Sequence, residues 1–167
     1  ISNTSWQTYQ LQYTFGANTI VTDFAPDLNW DFTTSTFISL DDDVQYNLYY
    51  YATVRNHDPG DISYRWAHRN SGGTLIQTFN AHTDAMGHSS FSHTVGKFSA
   101  ILDTGDTLGL ELKAEISNDV RQRDGSGPGS PAALFMASTG GSLRTTESIL
   151  KTNRGDLSQW DFIKGIF

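Results

Sequence analysis

Thr107-Leu108-Gly109-Leu110-Glu111-Leu112-Lys113-Ala114-Glu115-Ile116-Ser117 alternates strictly, with Leu108, Leu110, Leu112, Ala114 and Ile116 on one side and Gly109, Glu111, Lys113 and Glu115 on the other. Successive side chains of a strand point to opposite faces, so this pattern is a long half-buried β-strand, apolar inward and polar outward. The same period recurs on both sides of it. Tyr9, Leu11, Tyr13 and Phe15 alternate, as do Trp30, Phe32, Thr34, Thr36, Ile38 and Leu40. From Gln45 to Arg55, Tyr46, Leu48, Tyr50, Ala52 and Val54 share one side, while Tyr49 and Tyr51 stand on the other. A strand apolar on both faces is central in its sheet, or one face meets a neighbouring chain. Ile62, Tyr64, Trp66 and His68 alternate against Ser63, Arg65, Ala67 and Arg69, and further strands are predicted at Thr74–Asn80, Ser90–Leu102, Ala132–Ser138, Thr145–Lys151 and Gln159–Phe167.

Turn chemistry separates these runs. Asp58-Pro59-Gly60-Asp61 places Pro and Gly at central turn positions. Ser71-Gly72-Gly73 is a tight hairpin signal, Thr104-Gly105-Asp106 leads into the longest strand, and Thr139-Gly140-Gly141-Ser142 is another break. Asn118 to Pro131 reads as an exposed mobile loop because of its Gly-Ser-Gly-Pro-Gly core. No segment carries a 3.6-residue apolar stripe with caps. Asp84–His88, the best helical candidate, is too short to count. About ten strands at this spacing predict an all-β antiparallel sandwich in a single domain, residues 1–167, with 1–30 as an N-terminal extension or docking strand.

A long tyrosine-bearing strand (Gln45–Arg55), a second strand with an outward Arg (Ile62–Arg69), and Leu102-Asp103-Thr104-Gly105-Asp106-Thr107-Leu108-Gly109-Leu110 followed by a closing aromatic strand (Trp160–Phe167) resemble the tumour-necrosis-factor/complement-head jelly roll. The resemblance spans Thr34 to Phe167. It implies a jelly roll of about ten strands that assembles as a homotrimer. Such domains occur as phage and viral fibre tips, needle knobs and capsid decorations.

Composition narrows the partners. The chain carries 11 Lys and Arg against 18 Asp and Glu, a net charge of −7. Non-specific nucleic-acid binding rests on neutralising phosphates, so this balance opposes it. Residues 1–54 hold no Lys or Arg, which opposes a genome-contacting arm and suits the exterior of a particle. No apolar run is long enough for a membrane-spanning helix. With 0 Cys, disulfides, thiolate metal sites and cysteine nucleophiles are excluded. The opening Ile1-Ser2-Asn3 reads as the start of a processed or excised chain, and Asn3-Thr4-Ser5 is a glycosylation triplet only in a eukaryotic secretory setting.

Chemistry-bearing motifs are few. There is no Gly-x-Ser-x-Gly elbow, no phosphate-binding loop and no His-Glu-x-x-His. The five histidines read as ordinary surface or hydrogen-bonded groups. Glu111 and Glu115 lie about 13 Å apart by strand rise, too far for a retaining glycosidase pair, and with Lys113 between them read as a solvated face. The expectation is therefore a non-enzymatic protein. Asp41, Asp42 and Asp43 could offer oxygen ligands to Ca²⁺, helped by Asp103 or Asp106, or form a solvated turn. Tyr46, Tyr49, Tyr50 and Tyr51 are assigned to an oligomer interface, and Arg121, Arg123, Trp66 and Trp160 to ligand binding. The functional expectation is a virion structural protein at the particle exterior, a capsid decoration (cement) protein or a fibre-tip receptor binder. It would contact its own copies, other virion proteins and a host-surface glycan or receptor, through the loops 41–43, 58–61 and 118–131. A carbohydrate-binding module and a small viral capsid protein are the alternatives.

Overall fold

The fold is taken from a computed structural model that describes residues 5–10, 18–56, 59–87, 91–114, 120–122 and 133–140. Among the described residues, eleven strands run β1 (Gln7–Thr8), β2 (Asn18–Phe24), β3 (Leu28–Asp31), β4 (Thr36–Ser39), β5 (Val44–Asn56), β6 (Gly60–Arg69), β7 (Leu75–Met86), β8 (Phe91–Leu102), β9 (Thr107–Ala114), β10 (Val120–Gln122) and β11 (Ala133–Thr139). Among the described residues there is no helix, and none long and apolar enough to cross a membrane. Strands form two sheets. One has the order β3-β4-β9-β6-β7, with β1 also paired to β9. The other has β5 at its centre, with β8 along one side and β10 and β11 along the other, and β2 beyond β11. The described strands within 1–30 therefore belong to the sandwich itself. The pairing is antiparallel except for β11 with β2, which is parallel. That departs from the all-antiparallel expectation.

The core lies between the sheets. Tyr46, Leu48, Tyr50, Ala52 and Val54 of β5 face Ile62, Tyr64 and Trp66 of β6 and Leu108, Leu110, Leu112 and Ala114 of β9, all buried in one cluster. The phenol of Tyr9 crosses the layer and donates to the Thr53 carbonyl at 2.9 Å, tying the sheets together. Burial raises the Tyr9 pKa far above that of a free phenol, and the neighbouring Tyr64 and Tyr51 phenols add to the effect.

Two turns match their sequence signals. In the 70–74 hairpin the Asn70 side-chain oxygen accepts from Gly72 and Thr74 N–H, and Gly73 takes φ 81°, which favours glycine. Gly105 takes φ 82° and donates its N–H to the Ser39 carbonyl. Three expectations change. The single strand expected from Trp30 to Leu40 is two strands, because Asp31 accepts from the Thr33 N–H and the Thr34 hydroxyl and closes a turn at residues 32–35. That turn flips the inward parity, so Phe37 and Ser39 are buried rather than Thr36 and Ile38. The loop expected from Asn118 to Pro131 contains β10, paired with the end of β5.

The third change concerns β9. Glu111 is 5% exposed rather than solvated. It sits beside β6, register-paired with Arg65. Arg65 Nε donates to Glu111 Oε2 at 2.7 Å, and Arg69 Nη2 donates to Oε1 at 2.7 Å. Trp6 covers the cluster, its ring 4.1 Å from the Arg65 guanidinium and 5.4 Å from Lys113 Nζ. The polar side of β9 is thus roofed by its own ion pairs, and the strand is buried on both faces. Removing one member of a buried cluster strands the others. Glu111→Gln is expected to lower stability by about 3 kcal/mol in urea denaturation, far more than an exposed pair contributes.

Candidate functional site

Two surfaces of the sandwich carry features that its core does not explain. The first is the outer face of the β5 sheet. Odd-numbered residues of β8 and those of β5 from Gln45 to Thr53 point outward, and the register sets Tyr51 between Val95 and Leu134, and Tyr49 between Lys97 and Met136. Ile101 stands beside Gln45, and Phe24 lies next to Ser138 at the far edge. Val95 is 70% exposed, Phe24 65%, Ile101 57% and Tyr49 49%. An apolar and aromatic band therefore crosses four strands on a surface that faces away from the core. Lys97 is the one ammonium on it among the described side chains. Bands of this kind mark contact surfaces. At one end, Tyr51 and Thr53 hydroxyls meet His93 Nδ1 at 2.8 and 3.0 Å, and the His93 ring stacks on Tyr51.

The second feature is a slot where the sandwich opens between its edge strands β7 and β8. Its volume is about 490 Å³, and Tyr50, Asn80, His82, Asp84, Thr94 and Gly96 are among the residues lining it. A volume of about 300–1,000 Å³ is usual for small-molecule sites. Asp84 accepts a short hydrogen bond from the Ser92 hydroxyl. His82 stacks on Tyr64 at 4.8 Å and its Nδ1 donates to the Asn80 carbonyl at 3.0 Å. Tyr64 is buried, which raises its pKa. A Ser92 hydrogen bond pulls the other way, and the Asp84 charge adds to the rise, so the phenol stays protonated.

Sequence-assigned residues divide between core, surface and the segments outside the described residues. Tyr46 and Tyr50 point inward and are buried by the chain itself, so of the four assigned to an interface only Tyr49 and Tyr51 face outward. Trp66 is 0% exposed among Phe37, Tyr50, Phe98 and Phe135, so neither ring face is open to a ligand. Alternation already placed Trp66 on the inward side of its strand, and that parity, rather than residue type, decides its role. The backbone of Arg121 lies in β10 opposite Arg55. Arg123, Trp160 and residues 118–119 and 124–131 of the loop lie outside the described residues.

The acidic run is a junction. Asp42 Oδ1 accepts from the Thr104 N–H at 2.8 Å, Asp103 Oδ1 accepts from the Asp43 N–H at 3.1 Å, and Asp41 Oδ1 accepts from the Asp42 N–H. These carboxylates bind the β4–β5 turn to the β8–β9 turn. Nearby, His68 Nε2 and Asp106 Oδ2 form a buried pair at 2.6 Å that fixes the same turn to β6. Among the described residues, no group of three His, Cys, Asp or Glu side chains is placed to hold a metal ion. Neither the slot nor the His68–Asp106 pair was legible from motif spacing, since each joins strands distant in sequence. No protein-family model matches the chain, and no curated protein sequence matches it.

Two outcomes follow. Trp66→Ala is expected to cost about 3–5 kcal/mol in denaturant unfolding, as for other buried aromatics. The Thr104 hydroxyl and N–H hold the Asp42 carboxyl below its ordinary range. A depressed carboxyl stabilises the fold above its unfolded pKa and loses that contribution as pH falls through the folded value. Asp42→Ala is therefore expected to melt lower than wild type at neutral pH, with the gap closing in acid. A gap constant with pH would refute this.

Proposed function

We propose that this chain is a non-enzymatic jelly-roll domain that works by adhesion, assembling as a homotrimer and serving as a structural component of a virus or phage particle. The observation that carries the reading is the exposed apolar band of Phe24, Tyr49, Val95 and Ile101 across the outer face of the β5 sheet. A flat face of this kind loses water when it meets a copy of itself, and burial stabilises by about 25 cal/mol per Å² of apolar surface. Symmetric self-association needs no second gene product, because one patch supplies both sides of each contact or a ring of them. The near absence of charge on the band favours a partner as apolar as itself.

The jelly-roll assignment draws on the pairing order. β6 pairs with β7, β5 with β8 and β4 with β9, which is a long hairpin folded over; β5 with β11 and β6 with β9 are the contacts made as it rolls up. The parallel β2 follows from the additional β3–β4 hairpin, which reverses the chain once between the sheets. Capsid decoration or cementing is preferred to fibre-tip binding. In either role the acidic, Lys- and Arg-free residues 1–54 suit a surface that does not meet the genome.

Light scattering coupled to size exclusion tests the reading. Three chains of 18.5 kDa give a species of about 55 kDa. Tyr49→Glu combined with Val95→Glu is expected to yield a folded single chain, with unchanged far-ultraviolet circular dichroism. A wild-type protein that elutes as one chain at all concentrations overturns the assembly. Deleting residues 123–131, which spares β10, separates the two roles: loss of host attachment with intact assembly marks a fibre tip, and loss of particle integrity marks a cement.

A further inference from the structure

We infer that the slot between β7 and β8 is a binding site for a neutral saccharide unit, held through its hydroxyls by Asp84, His82 and Thr94. The inference stands apart from the assembly above, which concerns the outer face of the β5 sheet.

Next to this edge the inner faces of the two sheets are apolar. There the register places Asp84 opposite Ile62 and His82 opposite Tyr64, while Thr94 stands opposite Ala52 and Ser92 opposite Val54. Each partner named is fully buried and, Tyr64's phenol apart, apolar. Four polar side chains thus occupy inward positions where the pattern of either sheet calls for apolar ones. Such a reversal at a half-open edge creates a wet recess rather than more core.

Three details make the recess a built site. Thr94 is 2% exposed and its hydroxyl has no hydrogen-bond partner among the described residues. A buried hydroxyl without a partner is costly, and an occupant that exchanges a hydrogen bond with it removes that cost. Gly96 lets the Tyr50 phenol and the Asn80 amide close onto the strand and form the floor. A Cβ there would come within 2.8 Å of Tyr50 Oη and 3.0 Å of Asn80 Nδ2. The third detail is the tautomer of His82. The Asn80 carbonyl can only accept, so Nδ1 carries the hydrogen, and in the neutral ring Nε2 is an acceptor. Stacking on Tyr64 holds the ring in place. Asn80 itself takes φ 48° at a register shift between β6 and β7, which turns its side chain to donate to the Lys97 carbonyl across the slot.

The polar groups select the ligand class. Asp84 has one oxygen on Ser92 and its other as an acceptor; His82 Nε2 is a second acceptor; Thr94 both donates and accepts. A phosphate or carboxylate would be repelled by Asp84, and an ammonium, which only donates, would leave the Thr94 proton without an acceptor. A ring bearing several hydroxyls, each a donor and an acceptor, satisfies all three.

Saturation-transfer and ¹⁵N-correlation NMR of the full chain, titrated with D-glucose, D-galactose, D-mannose and N-acetyl-D-glucosamine, test the site. At least one sugar is expected to bind, with amide shifts confined to residues 80–84 and 92–97. Thr94→Val, which keeps the shape of the side chain, and Asp84→Asn are each expected to weaken that binding about tenfold, the loss typical of a deleted hydrogen bond in a buried site. Tyr49→Glu is expected to bind as wild type, so a failed trimer and a failed sugar site are read separately. Absence of binding by all four sugars, shifts located elsewhere, or unchanged affinity in a folded Thr94→Val overturns the inference.

Discussion

A continuous layer of aromatic rings holds the two sheets at their working distance. Trp66 sits at its middle, with ring centres 5.0 Å from Phe135, 5.3 Å from Tyr50, 5.7 Å from Phe98 and 6.3 Å from Phe37. Trp30 extends the layer on one side through Phe37 at 4.8 Å, and Phe79 extends it on the other through a parallel stack on Phe98 at 4.5 Å. Most of these contacts are tilted or edge-on, the geometries that aromatic quadrupoles favour. Because the rings come from both sheets, neither sheet can slide without opening voids, and close-packed interiors tolerate few of them.

Both the band and the slot are positioned by this layer. Toward the β7–β8 edge it ends at the Phe79–Phe98 pair and the Tyr50 ring, and the space beyond them becomes the polar slot. On the other side of the β5 sheet, alternation along the strands leaves Tyr49, Val95 and Ile101 on the outer face. Tyr50 belongs to both descriptions, since its ring packs on Trp66 while its hydroxyl reaches the Gly96 floor. A rigid core thus presents one small recess and one broad band, on opposite faces of the same strand.

The alternation of Leu108, Leu110, Leu112 and Ala114, and that of Tyr46, Leu48, Tyr50, Ala52 and Val54, predicted inward faces that the structure reproduces. Trp30–Leu40 was misread because a period of two runs unbroken through it, while the Asp31 turn that reverses the chain is a matter of local side-chain hydrogen bonding. Glu111 was misread for a different reason. Its position on a polar face was correct, but whether such a face meets water depends on Arg65, Arg69 and Trp6, which arrive from other strands.

The sequence by itself determined the all-β class, the principal strands, the 70–74 hairpin, the glycine turn at 105 and the doubly apolar character of Gln45–Arg55. Those are properties of neighbours along the chain, where a period of two or a glycine at the right place suffices. The tertiary structure alone decided which tyrosines are core and which are surface, that Trp66 is sealed from any ligand, that the aspartate run joins two turns, and that Asp84, His82 and Thr94 converge on one slot. Each of these depends on strand order and register, which bring together residues separated by tens of positions and leave no trace in local periodicity.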